Sequence, residues 1–175
     1  MNASTVSGAP SPALRLAIFV PVGPVPAWVA RLAGDCASLP DVALVALLRD
    51  EGTPRADGEA PRQVALTASP GVAEWSGANP ADSARWLSGQ GVEVLLDLRR
   101  APAPLPQGPA RHWTLVPVGD DGAAVTLVTV PDGMPVDGAQ DARHDAPTPS
   151  NPRRDIARGM GEVRRALLHL ARRGG

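Results

Sequence analysis

The sequence of 175 residues contains no lysine, no tyrosine, one phenylalanine and one cysteine. Because Cys36 has no second cysteine, an internal disulfide and a cysteine-based zinc site are excluded. The absence of lysine excludes a Walker-type phosphate loop. No apolar run approaches the length of a membrane span, and the first residues lack the pattern of a secretory signal. We therefore expect a soluble cytoplasmic protein without a bound cofactor.

Charge is unevenly distributed along the chain. All 17 basic residues are arginines. Residues 1–152 contain 10 of them against 16 acidic residues, a net charge of −6, whereas residues 153–175 contain 7 against 2, a net charge of +5. An acidic body with a basic tail is a pattern that often marks a contact surface. The excess of Ala, Arg, Pro and Gly is interpreted first as the coding bias of a GC-rich genome.

Residues 14–48 form the clearest structural pattern. A near-continuous apolar run over residues 14–22 predicts a strand of a sheet that is covered on both faces. A Pro- and Gly-containing turn follows, and an amphipathic pattern predicts a helix over residues 27–38. Residues 42–48 predict a second buried strand. This β-α-β unit indicates a parallel α/β fold, but its turn lacks the glycines of a dinucleotide-binding loop.

Later segments extend the same pattern. A short strand is expected within residues 62–68, and a helix capped by Asn79 or Asp82 ends near residue 87. Residues 91–98 predict another parallel strand, and residues 112–118 and 124–130 predict a hairpin. The predicted fold class is α/β: a Rossmann-like, mostly parallel open sheet of four to six strands with helices on both faces, a late β-hairpin and a C-terminal helix. The predicted organisation is a disordered segment (1–12), the α/β domain (13–130), a Pro-rich linker (131–151) and a basic amphipathic helix (152–175).

Candidate ligand residues lie near the predicted strand ends. Asp97 ends a parallel strand, at the edge where open α/β sheets bind their ligands. Arg99 and Arg100 follow it and could bind an anion, and Asp120 follows a later strand. The alternative is that Asp97 caps a loop while the arginines are solvated. Asp120 in its Gly-Asp-Asp-Gly segment is explained by a hairpin turn.

No catalytic or metal-binding pattern is evident. His112, His144 and His169 are far apart in sequence, and none has metal-ligand spacing with another His, Cys or carboxylate. For each, an ordinary core or surface role is the favoured interpretation. No nucleophile elbow of the form G-x-S-x-G occurs. The sequence therefore predicts no metal site and leaves enzymatic activity open, with a preference for a non-enzyme.

The C-terminal helix has a heptad-like apolar seam. Its members are spaced by four and three residues, as in a coiled coil: Ile156, Met160, Val163, Leu167 and Leu170. Arginines, among them Arg164 and Arg165, occupy much of the remaining surface. The seam could dock on the helix's own domain, on a partner's helix or on a second copy of the chain. Nucleic acid is disfavoured because no aromatic residues are interleaved with the arginines.

Three segments resemble formyltransferase-like proteins of the methionyl-tRNA formyltransferase superfamily, in particular the bacterial N-terminal domains. These are Val-Pro-Ala-Trp at 25–28, Gly-Val-Glu-Val-Leu-Leu-Asp-Leu at 91–98 and His-Trp-Thr-Leu-Val-Pro-Val-Gly-Asp at 112–120. The resemblance covers about residues 14–130 and implies an open α/β sheet. The family binds a formyl-folate donor and uses an Asn, an Asp and a His within H-x-S-L-L-P. His112 is followed by Trp-Thr-Leu instead, so no catalytic residue is carried over.

These observations lead to one expected function and two alternatives. We expect a non-catalytic, formyltransferase-like accessory or scaffold protein that acts through protein–protein interaction or self-association, with the C-terminal helix as its contact element. The first alternative is a formyl- or glycosyl-type transferase acting on a sugar or amine, with Asp97, Arg99 and Asp120 near the strand ends. The second is a regulatory module that binds a small anion through Arg99 and Arg100.

Overall fold

The computed structural model describes residues 13–51, 63–99, 105, 109, 111–118, 124–129 and 152–173. Eight strands and three helices occur in these ranges. In chain order they are β1 (Leu14–Pro21), β2 (Val25–Pro26), α1 (Ala27–Ala37), β3 (Val42–Asp50), β4 (Gln63–Val64), β5 (Ala73–Gly77), α2 (Pro80–Gly89), β6 (Val94–Asp97), β7 (Arg111–Val118), β8 (Ala124–Thr129) and α3 (Pro152–Arg173).

Six of these strands form one sheet in the order β5-β3-β1-β6-β7-β8. The first five are mutually parallel, and β8 pairs with β7 antiparallel. The first strand of the chain lies inside the sheet, and the order reverses between β1 and β6. This is the arrangement of Rossmann-like α/β folds. The predicted fold class is confirmed, including the hairpin of β7 and β8.

The central strands are buried on both faces, as their apolar runs predict. On one face Ile18 and Leu96 pack in a core that includes residues of α1 and α3. On the other face Phe19 and Leu95 pack with Leu87 of α2. Alternate residues of a strand point to opposite faces, so a continuous apolar run supplies both layers at once.

Helix starts follow their local chemistry. Pro26 is the N-cap residue of α1, and its side chain makes no hydrogen bond to the first turn. At α2 the side chain of Asn79 accepts a hydrogen bond from the backbone N–H of Ala81 at 2.9 Å. Of the two capping residues considered, Asn79 is therefore the cap, and Asp82 lies in the first turn.

The short strand expected within residues 62–68 is present as β4 (Gln63–Val64), but it does not belong to the main sheet. The edge strand of the sheet is Ala73–Gly77, and the earlier segment contributes only the two residues of β4, which pair with β2. Leu66 instead packs against the core on the α1 face. The edge strand escaped prediction because its exposed residues Glu74 and Ser76 alternate with half-buried ones, so no apolar run marks it.

Helix α3 packs on the chain's own sheet and on α1. Val163 and Leu167 are fully buried in the core, and Met160 and Leu170 are half-buried against it. Ile156 is half-buried, whereas Arg164 and Arg165 are exposed. Three docking alternatives were open for the apolar seam, and in the structure the seam packs on the chain's own domain.

Several expectations lie outside the described residues. These are the disordered segment 1–12, the linker 131–151, and the candidate residues Arg100 and Asp120. Within the ranges that the structure describes, none of the helices is both long enough and apolar enough to cross a membrane.

Candidate functional site

A buried polar cluster lies at the carboxyl edge of the parallel strands. Asp50 is the last residue of β3, Asp97 is the last residue of β6, and Arg99 follows two residues later. Strand β1 runs between β3 and β6, and the strand order reverses beside it. Ligands of open α/β sheets bind at this place.

The guanidinium of Arg99 joins the two carboxylates. Its Nε and Nη2 donate to the two oxygens of Asp97 at 2.9 and 2.6 Å, and its Nη1 donates to Asp50 at 3.1 Å. The guanidinium carbon lies 3.8 Å from the centroid of the Phe19 ring. The planar fork of arginine suits this bidentate contact and the stacking on an aromatic face.

The Asp97 carboxylate accepts further hydrogen bonds. The backbone N–H of Arg99 donates to Oδ1 at 3.2 Å, and Nε2 of His112 lies 2.9 Å from Oδ2. The Thr114 hydroxyl donates to the Asp97 carbonyl at 2.8 Å. This proximity follows from the parallel register, in which Asp97 lies beside Thr114. His112 and Thr114 are therefore two residues apart on one face of β7.

The cluster is shielded from water and nearly neutral. Asp97 and Thr114 are fully buried, and Asp50, Arg99 and His112 are 6–7% exposed. With a neutral imidazole the group has a net charge of −1, and with an imidazolium it is neutral. Burial acts to lower the pKa of Arg99, but hydrogen bonds and charges of Asp97 and Asp50 outweigh it and raise that pKa. Arg99 is therefore a permanent cation.

The structure thus brings together two of the four predicted ligand residues. Asp97 and Arg99 are in direct contact, and the guanidinium is inside the protein rather than solvated. An anion could reach Arg99 only by displacing a carboxylate that already occupies the fork. The anion-binding role of Arg99 stays a prediction.

Sequence reasoning missed the other members of the cluster. Asp50 had a detectable pattern, because Leu-Leu-Arg-Asp at 47–50 and Leu-Leu-Asp-Leu-Arg at 95–99 both end a buried strand with an acidic residue near an arginine. His112 had none. Its contact with Asp97 depends on the pairing of β6 with β7, which no local pattern specifies.

Across the described residues, no group of three or more His, Cys, Asp or Glu is arranged to hold a metal ion. Comparison with known proteins gives no match: no protein-family model, no curated protein and no solved structure matches this chain. The Rossmann-like fold and the geometry of the site are therefore the basis for any functional proposal.

Proposed function

We propose that this chain is a non-catalytic, formyltransferase-like accessory or scaffold protein that acts by binding another protein. The observation that supports it is that the polar residues at the carboxyl edge of the sheet contact one another instead of facing solvent. At the place where an open α/β sheet normally presents polar groups to a ligand, Asp50, Asp97 and Arg99 bind one another and are buried.

This closure argues against ligand chemistry at the described edge. All three guanidinium nitrogens of Arg99 donate to carboxylate oxygens, and one face of the guanidinium plane lies over the Phe19 ring. Opening the cluster would leave buried charges without partners, which is strongly unfavourable. Asp97 and Arg99 would have to give up these contacts to bind a ligand directly, so the cluster fits a structural role.

The surface with the most evident binding chemistry is on α3. Since an α-helix advances 100° per residue, Arg158, Arg165 and Arg172 lie in one row, on the side opposite the buried Val163 and Leu167. We name these three residues the arginine face. Their row, in a segment of net charge +5, fits a partner protein with an acidic surface.

The experiment reverses the charge of the arginine face and leaves the apolar seam intact. The triple variant changes Arg158, Arg165 and Arg172 to Glu in the full chain. It is compared with the wild type as bait in extracts of the cells that produce the protein. The control is Arg85→Glu, because Arg85 is an exposed helical arginine on the opposite face of the sheet.

The proposal expects a protein that the wild type and the control retain and the triple variant loses. That protein, once purified, should bind the wild-type chain with an affinity that falls as salt rises. Equal retention by all three baits, or binding that salt does not change, would contradict the proposal.

A second candidate is a formyl- or glycosyl-type transferase acting on a sugar or amine. The observation that favours it is the contact of 2.9 Å between His112 Nε2 and Asp97 Oδ2, an arrangement used for general acid–base catalysis. Calorimetric titration with formyl-tetrahydrofolate and with nucleotide sugars separates the candidates. Binding that Asp97→Asn abolishes, in a variant with a native circular dichroism spectrum, would favour the transferase and overturn the scaffold proposal.

A further inference from the structure

A cleft of about 230 Å³ lies between α1 and α3. Its apolar side includes the buried residues Leu32, Cys36 and Leu39 and the half-buried Met160. Charged residues also line it: Arg31 and Asp35 from α1, and Arg164 from α3, all exposed. The cleft therefore combines an apolar floor with a rim of net positive charge.

The rim charges are available to a partner. Within the part of the chain that the structure describes, neither Arg31 nor Arg164 forms a hydrogen bond or an ion pair through its side chain. Arginine at the edge of an apolar pocket is a common feature of protein–protein contacts, where it binds carboxylates of the partner.

The size of the cleft indicates what can occupy it. Pockets that enclose a drug-sized molecule or a cofactor measure roughly 300–1,000 Å³, and this cleft is smaller. It fits a single apolar side chain, which is how one residue anchors many protein interfaces. The size therefore favours a side chain of a partner protein over a cofactor.

The cleft is continuous with the arginine face. Ala157, Gly161 and Arg164 border it from α3 at helical spacings of three and four, which places them in one row. The arginine face is the neighbouring row around the helix. A partner that covers the arginine face with its acidic surface thus reaches the cleft.

We infer that the partner of the proposed function inserts one large apolar side chain into the α1–α3 cleft, with carboxylates beside it that bind Arg31 and Arg164. This inference rests on the proposed function and specifies its partner: an acidic segment interrupted by a residue such as Leu or Phe.

Blocked peptides are the probe. Glu-Glu-Leu-Glu-Glu is titrated into the full chain labelled with ¹⁵N, and amide shifts are followed by NMR. We expect shifts concentrated at Leu32, Cys36 and Gly161. Replacing the central Leu by Ser should weaken binding about tenfold or more, because the buried apolar area is lost. Replacing every Glu by Lys should abolish the shifts.

Filling the cleft gives the decisive variant. A Cβ atom at position 161 would have no atom within 4 Å. The side chain of Gly161→Leu can therefore enter the cleft without a clash at its Cβ. We expect it to weaken the leucine peptide at least about tenfold. Gly89→Leu is the control, because Gly89 is also unobstructed and lies on α2, on the opposite face of the sheet.

The outcomes separate the two levels of the proposal. Equal binding of the Leu and Ser peptides, or undiminished binding to Gly161→Leu, would overturn the inference. If the cellular partner is then still lost with the arginine-face variant, the proposed function stands without the cleft. If that variant retains every partner, the proposed function fails independently of the peptide result.

Discussion

Among single residues, Arg99 connects the members of the buried polar cluster. It is the cation between Asp50 and Asp97, two carboxylates that end different strands. A buried ion cluster of this kind is not in itself a large source of stability, because desolvation offsets the attraction. Removing one member is different, since the remaining charges stay buried without their partner.

Arg99→Ala is expected to lower the free energy of unfolding by about 3–5 kcal/mol, because two buried carboxylates lose their counter-ion. Urea titration followed by circular dichroism measures it. Arg85→Ala is the matched control: its side chain is 82% exposed, and the change should stay within about 0.5 kcal/mol. Similar values for the two variants would show that the cluster is not closed in solution.

Cys36 provides a second test at this scale. It is 1% exposed, and burial, with a smaller contribution from the charge of Asp35, raises the pKa of its thiol from 9.0 to about 12. At about pH 8 the native protein should therefore contain about a thousandfold less thiolate than the unfolded chain, and a disulfide reagent should react far more slowly than in denaturant. Equal rates in the two conditions would refute this.

The same shift has a consequence for stability at high pH. The unfolded thiol ionises above about pH 9, whereas the folded one stays neutral up to about pH 12. The unfolded state is therefore favoured progressively within this window, by about 1.4 kcal/mol per pH unit at most. The Cys36→Ala variant should lack this part of the pH dependence, which denaturant titrations near pH 8 and pH 10 would detect.

Among the elements, α3 contains glycines in positions where helices rarely have them. Gly161 lies within the helix, and no atom within 4 Å would meet a Cβ there. Interior glycine lowers helix stability by about 1 kcal/mol relative to alanine. No packing contact therefore requires a glycine at this position, which borders the α1–α3 cleft.

Gly161→Ala is expected to stabilise the protein by up to about 1 kcal/mol, visible as a higher midpoint of thermal unfolding. Gly91→Ala is the informative contrast. Gly91 has φ of +61° and a Cβ there would lie 3.4 Å from Nε of Arg15. Alanine at this position should destabilise by about 1–2 kcal/mol. A stabilising Gly91→Ala would show that the turn before β6 differs from the one described.

How far the elements could be predicted depended on their hydrophobic pattern. Strands β1, β3 and β6 are apolar runs, so their sequence specifies both their type and their burial. Edge strand β5 is half-exposed, and its alternating polar residues resemble a loop. The candidate site divides in the same way. Asp97 and Arg99 were predicted because they lie at the end of a recognisable strand, but the contacts with Asp50 and His112 are set by strand order and register.

At the scale of the whole molecule, α3 is part of the domain rather than an appended helix. Its residues Val163 and Leu167 share a core with Ile18 of β1 and Leu32 of α1. The described part of the sheet, α1 and the basic helix α3 are therefore joined in one folded unit. An interaction through the arginine face leaves this core intact, whereas one through the apolar seam requires the helix to detach.

Leu167→Ala tests this integration. Because Leu167 is fully buried, truncation should lower the free energy of unfolding by about 2–5 kcal/mol through lost burial and the cavity left behind. Tryptophan fluorescence and circular dichroism should still give one shared transition, because the tryptophans report on both faces of the sheet: Trp28 and Trp113 pack in the core shared with α3, and Trp75 and Trp86 lie on the opposite face. Arg165→Ala, two residues away in the same helix and exposed, is the control and should change stability little. If Leu167→Ala instead produced two separate transitions, α3 would unfold on its own, and the seam would then be free to serve a partner's helix or a second copy of the chain.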